Sequence, residues 1–427
     1  MCNCVDFLVS SLTDCWRRIC DSWCISSFAI APSEQVRLLN AAVNARSRYM
    51  QKRQRLIQVG GYVSPSGDEA CATKIGTGLC FTKEHAEALG FIWNLSQRSS
   101  EASMLCHTPH DHCPDVSNII VSGFTKRGQK EVNQDALLFI EDFASQAGTV
   151  FCGVFDGHGP NGHIIARHVV HALPKKLAAC WQSRYRAFRP SLSGSDDSFN
   201  STRKKFVSDG DLIGTWKVSI VEAFNLMDQE LILNSLEDCF WSGTTAVTLI
   251  KQGCDLILGN LGDSRAILGS TAEDGSLIAK QLTIDMKPDL PREAERIRRC
   301  NGRIFELVYE PTVKRVWLPH LNSPGLAMTR ALGDYCLKKY GLISEPEITH
   351  CRLTHGDKFV VLATDGVWNV LTNEEVVKTV ASTPARASAS KAVIDAAMDA
   401  WKSNCPSSKA DDCAVVCLFF DSSQNDH

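Results

Sequence analysis

Aspartates at the ends of apolar runs, next to glycine or another turn residue, recur along this chain. Asp156 closes the run from Thr149 to Phe155 and opens Asp-Gly-His-Gly-Pro, where Gly157 and Gly159 flank His158. Asp263 lies in Gly-Asp-Ser-Arg, Asp334 in Arg-Ala-Leu-Gly-Asp, Asp365 in Thr-Asp-Gly-Val-Trp, and Asp411 adjoins Asp412 in Lys-Ala-Asp-Asp-Cys. Asp135, in Val-Asn-Gln-Asp-Ala, belongs with them. One such aspartate is ordinarily a turn or cap residue. Together they describe a hard-cation site, because carboxylates converging at low dielectric repel and persist when Mg²⁺ or Mn²⁺ neutralises them. Oxygen donors, with no paired cysteines or histidines, disfavour zinc or copper. Glycine beside Asp156 lets backbone approach what that carboxylate holds.

These residues need a scaffold, and the texture from Asn118 onward supplies one. Asn118 to Phe124 and Ala136 to Ile140 read as strands on either side of a polar turn, Thr125 to Asp135. Gly162 to Leu173 reads as a helix burying Ile164, Ile165, Val169 and Val170. Leu212 to Leu233 is a second helix, with Trp216, Ile220, Phe224, Met227 and Leu231 as core at three- and four-residue steps. Thr244 to Ile250, Asp255 to Gly259 and Ser264 to Leu268 are strands in hairpin-like order. Glu293 to Cys300 reads as a short helix, Lys358 to Ala363 and Cys413 to Phe420 as apolar strands, and Glu374 to Val380 and Lys391 to Trp401 as helices. Strands in runs followed by paired helices predict an α+β layered fold, against a doubly wound sheet. Residues 190–211, rich in Ser, Asp and Gly, read as a flexible insertion.

With these segments in order, the chain closely resembles the type 2C metal-dependent protein phosphatases, especially plant members. The resemblance runs from about Asn118 to Phe420 through Gly-Gln-Lys-Glu-Val-Asn-Gln-Asp, Asp-Gly-His-Gly, Ser-Gly-Thr-Thr-Ala, Gly-Asp-Ser-Arg, Arg-Ala-Leu-Gly-Asp, Thr-Asp-Gly-Val-Trp and Asp-Asp-Cys-Ala-Val. It implies two packed antiparallel β-sheets flanked by helices, with two Mg²⁺ or Mn²⁺ ions at one edge and a weaker third in some relatives. Asp156 would bridge the two metals and Gly157 would offer its carbonyl. Asp365 and one of Asp411 and Asp412 would complete one shell, with Asp334 beside them, and Asp263 would join Asp334 at the third ion. Alternation along a strand points only one of Asp411 and Asp412 inward, and alignment on the family pattern favours Asp411. Asp135 would orient bound water from behind the ligands.

The resemblance implies hydrolysis of phosphoserine and phosphothreonine in protein substrates. A phosphate dianion repels hydroxide, so cations about 4 Å apart would supply an activated water and clamp the displacement. His158 would protonate the departing alkoxide. Where many relatives carry arginine, this chain has Lys130, with Arg127 nearby; lysine offers a point charge without a fork, so phosphate grip is looser or passes to Arg127. Residues from Pro288 to Pro324 match the family's variable flap, in which Trp317 reads as a packed anchor. The rival expectation is a pseudophosphatase scaffold that binds phosphoproteins with little turnover. Its usual mark, loss of a core aspartate, is absent from these motifs.

Bulk properties agree with a sizeable core. The chain has 427 residues, 44% apolar and 22% charged, and a net charge of -3, which gives no global basic field for nucleic acid. Its 19 cysteines are scattered and read as reduced thiols of the cytoplasm or nucleus. No signal-peptide order opens the sequence and no apolar run is long enough to span a membrane. Residues 1–112 form a different, cysteine-rich zone ahead of a catalytic domain over 113–422 and a short tail, 423–427. Cys2, Cys4, Cys15, Cys20 and Cys24 among Phe7, Leu8, Trp16 and Trp23 suggest a mobile leader or an acylated segment on the plasma membrane. Cysteine at position 2 removes the N-myristoylation motif. The Cys106 to Cys113 cluster has no standard zinc spacing and reads as a linker. A monomer acting on phosphorylated proteins is expected.

Overall fold

The computed structural model describes residues 101–107, 120–188, 209–308, 310–405 and 409–420. The expectations for residues 1–100, for positions 108–113 of the linker and for most of the 190–211 insertion lie outside these.

In chain order, β1 (Glu101–His107), β2 (Ile120–Lys126), β3 (Asp135–Ile140) and β4 (Val150–His158) precede two long helices, α1 (Gly162–Phe188) and α2 (Asp209–Cys239). Then come β5 (Gly243–Thr244), β6 (Ala246–Gln252), β7 (Asp255–Leu261), β8 (Arg265–Thr271), β9 (Leu277–Gln281) and α3 (Pro291–Arg299). The flap holds β10 (Arg303–Leu307), β11 (Glu310–Leu318) and β12 (Leu321–Leu326), followed by β13 (Leu332–Gly333) and α4 (Tyr335–Lys338). The chain finishes with β14 (Glu347–Arg352), β15 (Asp357–Ala363), α5 (Asp365–Trp368), α6 (Asn373–Ser382), α7 (Ala389–Asn404) and β16 (Cys413–Phe419).

Two antiparallel sheets face each other. One is six-stranded, in the order β1-β2-β16-β15-β8-β9; the other is seven-stranded, β13-β5-β4-β6-β7-β14 with β3 alongside β4. Val154, Val247 and Leu258 of the second sheet meet Val360, Leu362 and Val416 of the first in the layer between them. On one outer face Phe151 and Phe155 pack under α1 and α2, where Trp181 and Trp216 stack at 4.6 Å. On the other, Phe359 and Val361 pack under α6 and α7. β4 and β16 are therefore covered on both faces, which is why they read as unbroken apolar runs. The α+β sandwich expected from the sequence is the fold observed.

Several local readings change. α1 runs past Pro174 to Phe188, because Leu177, Cys180 and Trp181 continue its buried face beyond the residue that lacks an N–H. Ile164, expected in the core, is 44% exposed. β6 and β7 form the hairpin predicted, but β8 leaves it and pairs with β15 and β9 in the opposite sheet. Gly262, at φ 101°, turns the chain between the sheets. β1 pairs with β2 from Glu101 opposite Lys126 to His107 opposite Ile120, so the sheet takes in residues ahead of the compositional boundary near 113. α2 begins at Asp209, inside the stretch read as insertion. The flap is α3 with a three-stranded sheet, where Trp317 stacks on Phe305 at 4.8 Å and donates its indole N–H to the Phe305 carbonyl.

Candidate active site

Strand register assembles the acidic edge. Asp135 and Asp156 stand directly opposite each other on β3 and β4, a placement that costs free energy unless something offsets the paired charges. On the other sheet Ala363 of β15 pairs with both Arg265 of β8 and Val415 of β16. The residues just beyond these pairs, Asp365, Asp263 and Asp411-Asp412, thus leave adjacent strands at the same end. Gly157 holds β4 against the chain that follows: a Cβ there would lie 2.5 Å from the Gly162 carbonyl oxygen and 2.6 Å from that of Gln134.

The electrostatics follow from this crowding. Burial pushes the Asp156 carboxyl well above the usual range, and Asp135, Asp365 and Asp411 push it further. Burial and the charge of Asp412 raise Asp135, although Thr364 donates its hydroxyl to Asp135 at 2.6 Å. Burial and Asp365 raise Asp411, with Lys130 opposing. Burial and Asp365 push Asp263 up to about 7.

Lys130 is the ammonium inside this group, bonded to Asp411 Oδ1 and 3.8 Å from Asp412 Oδ2. Burial works against its charge, but Asp411, Asp156 and Asp135 raise its pKa overall. Arg127 is exposed and donates to the Glu131 carbonyl at 2.8 Å.

The structure separates the roles of Asp411 and Asp412. Asp412 is buried, and its two oxygens accept the backbone N–H groups of Gly128 and Gln134, each at 2.9 Å. It ties the start of β16 to the β2–β3 loop. Asp411 instead faces Lys130 and the remaining carboxylates.

A second part of the edge contains His158, Asp334 and Asp263. His158 Nε2 lies 2.6 Å from Asp334 Oδ2. Burial alone would lower the histidine pKa, but Asp334 raises it overall, favouring imidazolium. Asp334 Oδ1, His158 Nδ1 and both oxygens of Asp263 are buried without a hydrogen-bond partner. Lys287 Nζ is 3.8 Å from Asp263.

Buried carboxylate oxygens without donors, beside carboxylates that raise one another's proton affinity, fit a divalent cation in charge and donor type. Among the described residues no three or more His, Cys, Asp or Glu close round one point as a finished cation site. The carboxylates form an open cluster along the edge.

Sequence reasoning missed the residues that fix this cluster from behind. Thr364 is fully buried; besides donating to Asp135, its hydroxyl accepts the Ala414 N–H at 2.9 Å, and its place before Asp365 was the available signal. Asp228 of α2 accepts the Gly333 N–H at 3.0 Å and the Lys338 ammonium at 2.9 Å, bracketing Asp334, and nothing in the helix pattern marked it. Arg265 makes a two-pronged pair with Asp285 at 3.0 and 2.7 Å, donates to Asn373, and lies over the Trp368 ring. It joins the segment carrying Asp263 to the one carrying Asp365, and its adjacency to Asp263 in Gly-Asp-Ser-Arg pointed to it.

A two-sheet sandwich flanked by helices, with carboxylates from both sheets at one edge, defines a scaffold suited to holding cations. The family described as protein phosphatase 2C matches residues 121–405. The Arabidopsis thaliana protein described as "Probable protein phosphatase 2C 1" is 54% identical over 301 residues, covering 70% of this chain and 65% of the relative. "Probable protein phosphatase 2C 52" of the same plant is 46% identical over 389 residues, 85% of this chain and 80% of the relative. A rice relative, "Probable protein phosphatase 2C 66", is 44% identical over 388 residues, 88% of this chain and 71% of its own length. Thus the chain spans just under two thirds of the first relative and more of the other two. The crystal structure of a serine-threonine phosphatase 2C from Toxoplasma gondii superposes with a TM-score of 0.61 at 23% identity, over 75% of this chain and 99% of that one, a likeness of fold. The chain belongs to the protein phosphatase 2C family.

Proposed function

We propose that this chain is a Mg²⁺- or Mn²⁺-dependent protein serine/threonine phosphatase. The observation that carries the proposal is the convergence of Asp135, Asp156, Asp365 and Asp411 from separate segments at one sheet edge, where burial and the neighbouring carboxylates raise the proton affinity of Asp135, Asp156 and Asp411. Asp156, Asp365 and Asp411, with the Gly157 carbonyl, are the residues to hold two cations; Asp263 with Asp334 suits a weaker third. Bound there, the cations supply a water of lowered pKa and neutralise the phosphoryl oxygens.

The chain's own residues do the rest. Asp135, held by Thr364, accepts hydrogen bonds from water at the edge. Asp334 keeps one proton on His158 Nε2 and favours the charged ring. The proton on Nδ1, which has no partner in the protein, is then the one to give to the departing serine or threonine oxygen. Lys130 places a positive charge where a phosphate dianion would approach, shared with Asp411 in the free protein. Asp412 fixes the loop that carries Lys130.

The test is phosphate release from a phosphothreonine peptide by purified protein, with EDTA, Mg²⁺ or Mn²⁺, beside Asp365→Asn. Turnover that requires the metal and collapses in the variant is expected. No turnover by folded, metal-loaded protein would overturn the proposal and leave a phosphoprotein-binding scaffold.

A further inference from the structure

We infer that the outward face of α1, from Arg167 to Lys176, is a docking groove for acidic segments of the phosphoprotein substrate, separate from the carboxylate edge; the inference rests on the phosphatase function proposed above. Arg167, His168, His171 and Lys175 recur at three- and four-residue steps, which places them on one face of the helix. Ile165, Ala166, Val169, Val170 and Leu173 form the opposite face, buried against the sheet and α2. With Lys176 and Glu230 of α2, the basic side chains line a depression of about 400 Å³.

The charge of this groove is not internally balanced. Its one lining carboxylate, Glu230, is already held by His168 at 2.8 Å and by Lys176 at 2.5 Å. Arg167 and Lys175 are exposed and have no carboxylate partner among the described residues. Burial, then Lys175 and His168, hold the His171 pKa below its usual value, and burial, then Arg167, do the same to His163. Like charges one helical turn apart cost a few tenths of a kcal/mol per pair. An anionic ligand along the face would remove that cost.

Shape and position favour a polypeptide over a lipid surface. A membrane-adsorbing helix presents apolar side chains beside its cations; this depression is lined by charged and imidazole side chains with Ala172 as its apolar member. α1 starts at Gly162, four residues after the end of β4, which carries Asp156 and His158. At about 1.5 Å per residue, Arg167 to Lys176 lie roughly 8 to 21 Å along the axis from that start. An extended peptide advances about 3.3 Å per residue, so acidic residues about three to seven positions from the phosphorylated one would reach the groove.

The test compares two phosphothreonine peptides of equal length, one with four glutamates in that window and one with four glutamines. Wild-type protein and Arg167→Glu/Lys175→Glu, matched in Tm, are assayed with Mn²⁺. The acidic peptide should show about five- to tenfold higher kcat/KM, carried by KM, fading at high salt because exposed charge pairs are screened. In the variant the preference should vanish while the glutamine peptide is turned over as before. Equal kcat/KM for both peptides in wild type, or a preference that survives in the variant, overturns the groove. Fluorescence anisotropy of a labelled acidic peptide without phosphate reads the same groove without catalysis, so an inactive protein does not mask the answer. Variant-sensitive binding to phosphatidylserine vesicles, with no peptide preference, would also overturn it.

Discussion

Two buried carboxylate regions in this molecule make opposite use of the same chemical group. Glu293, in the first turn of α3, is fully buried, yet its pKa lies down at about 2. Burial alone would raise it, but Arg330 donates at 2.7 and 3.0 Å, Arg296 at 2.6 Å and the Thr329 hydroxyl at 2.7 Å. At the sandwich edge, burial likewise pushes Asp156 and Asp263 up, and there neighbouring carboxylates add to it where donors would have outweighed it. Burial therefore does not decide the state of a carboxylate; the donors around it do. Glu293 is satisfied and holds the flap base to the segment leading to Asp334. The edge aspartates remain short of positive charge, the mark of a site that binds something.

The largest expected effect tests the edge. Asp156→Asn should lower kcat by on the order of 10³-fold or more in a peptide assay. It should also raise the Tm of metal-free protein, since one repelling charge is gone. A lower Tm would mean that the carboxylate is structural, as Glu293 is. Glu293→Ala should do the reverse, destabilising the fold by about 3–5 kcal/mol in urea unfolding because the buried Arg330 and the half-buried Arg296 lose their partner. Saturating Mn²⁺ at about 100 times its Kd should stabilise wild type by about 2.7 kcal/mol, read as a Tm rise against EDTA, and much less in Asp156→Asn.

The pH dependence separates the regions again. Glu293 has a folded pKa depressed to about 2 from an ordinary 4.5, so its stabilisation is complete above about 4.5 and is lost as pH falls toward 2. The stability gap between wild type and Glu293→Gln, on the order of 2–3 kcal/mol at neutral pH, should close over that window in acid titrations. The smallest effect concerns phosphate grip. Lys130→Ala should raise KM about tenfold, whereas exposed Arg127→Ala should change it no more than about twofold. Equal effects would mean that both cations reach the substrate.

The acidic edge was legible because its parts carry local signatures. Each aspartate follows an apolar strand and meets a glycine or turn residue, so Asp156, Asp263, Asp334 and Asp365 could be picked out one at a time. The order of strands and helices gave the layered class for the same reason. What was not legible depends on long-range register. The crossing of β8 to the other sheet, the passage of α1 through Pro174 and the pairing of β1 with β2 are decided by packing partners far along the chain. The division of labour between Asp411 and Asp412 was half visible: alternation said that only one points inward. That the other would clasp Gly128 and Gln134 required the fold. Asp228 and Glu293 gave no local sign, because a carboxylate on a helix looks alike whether it meets water or a buried cation.

The position of β16 bears on how the molecule comes into being. It lies between β2 and β15 in its sheet, although both are made before it, and Asp411 and Asp412 directly precede it. On a ribosome, β1 and β2 must wait without their sheet neighbour until this strand emerges, and pairings of such long sequence separation are slow to close. The acidic edge is therefore completed only by the last strand of the sandwich. A chain that stops before residue 411 presents the turn from Asp156 to Gly159 without the carboxylate that Lys130 bonds.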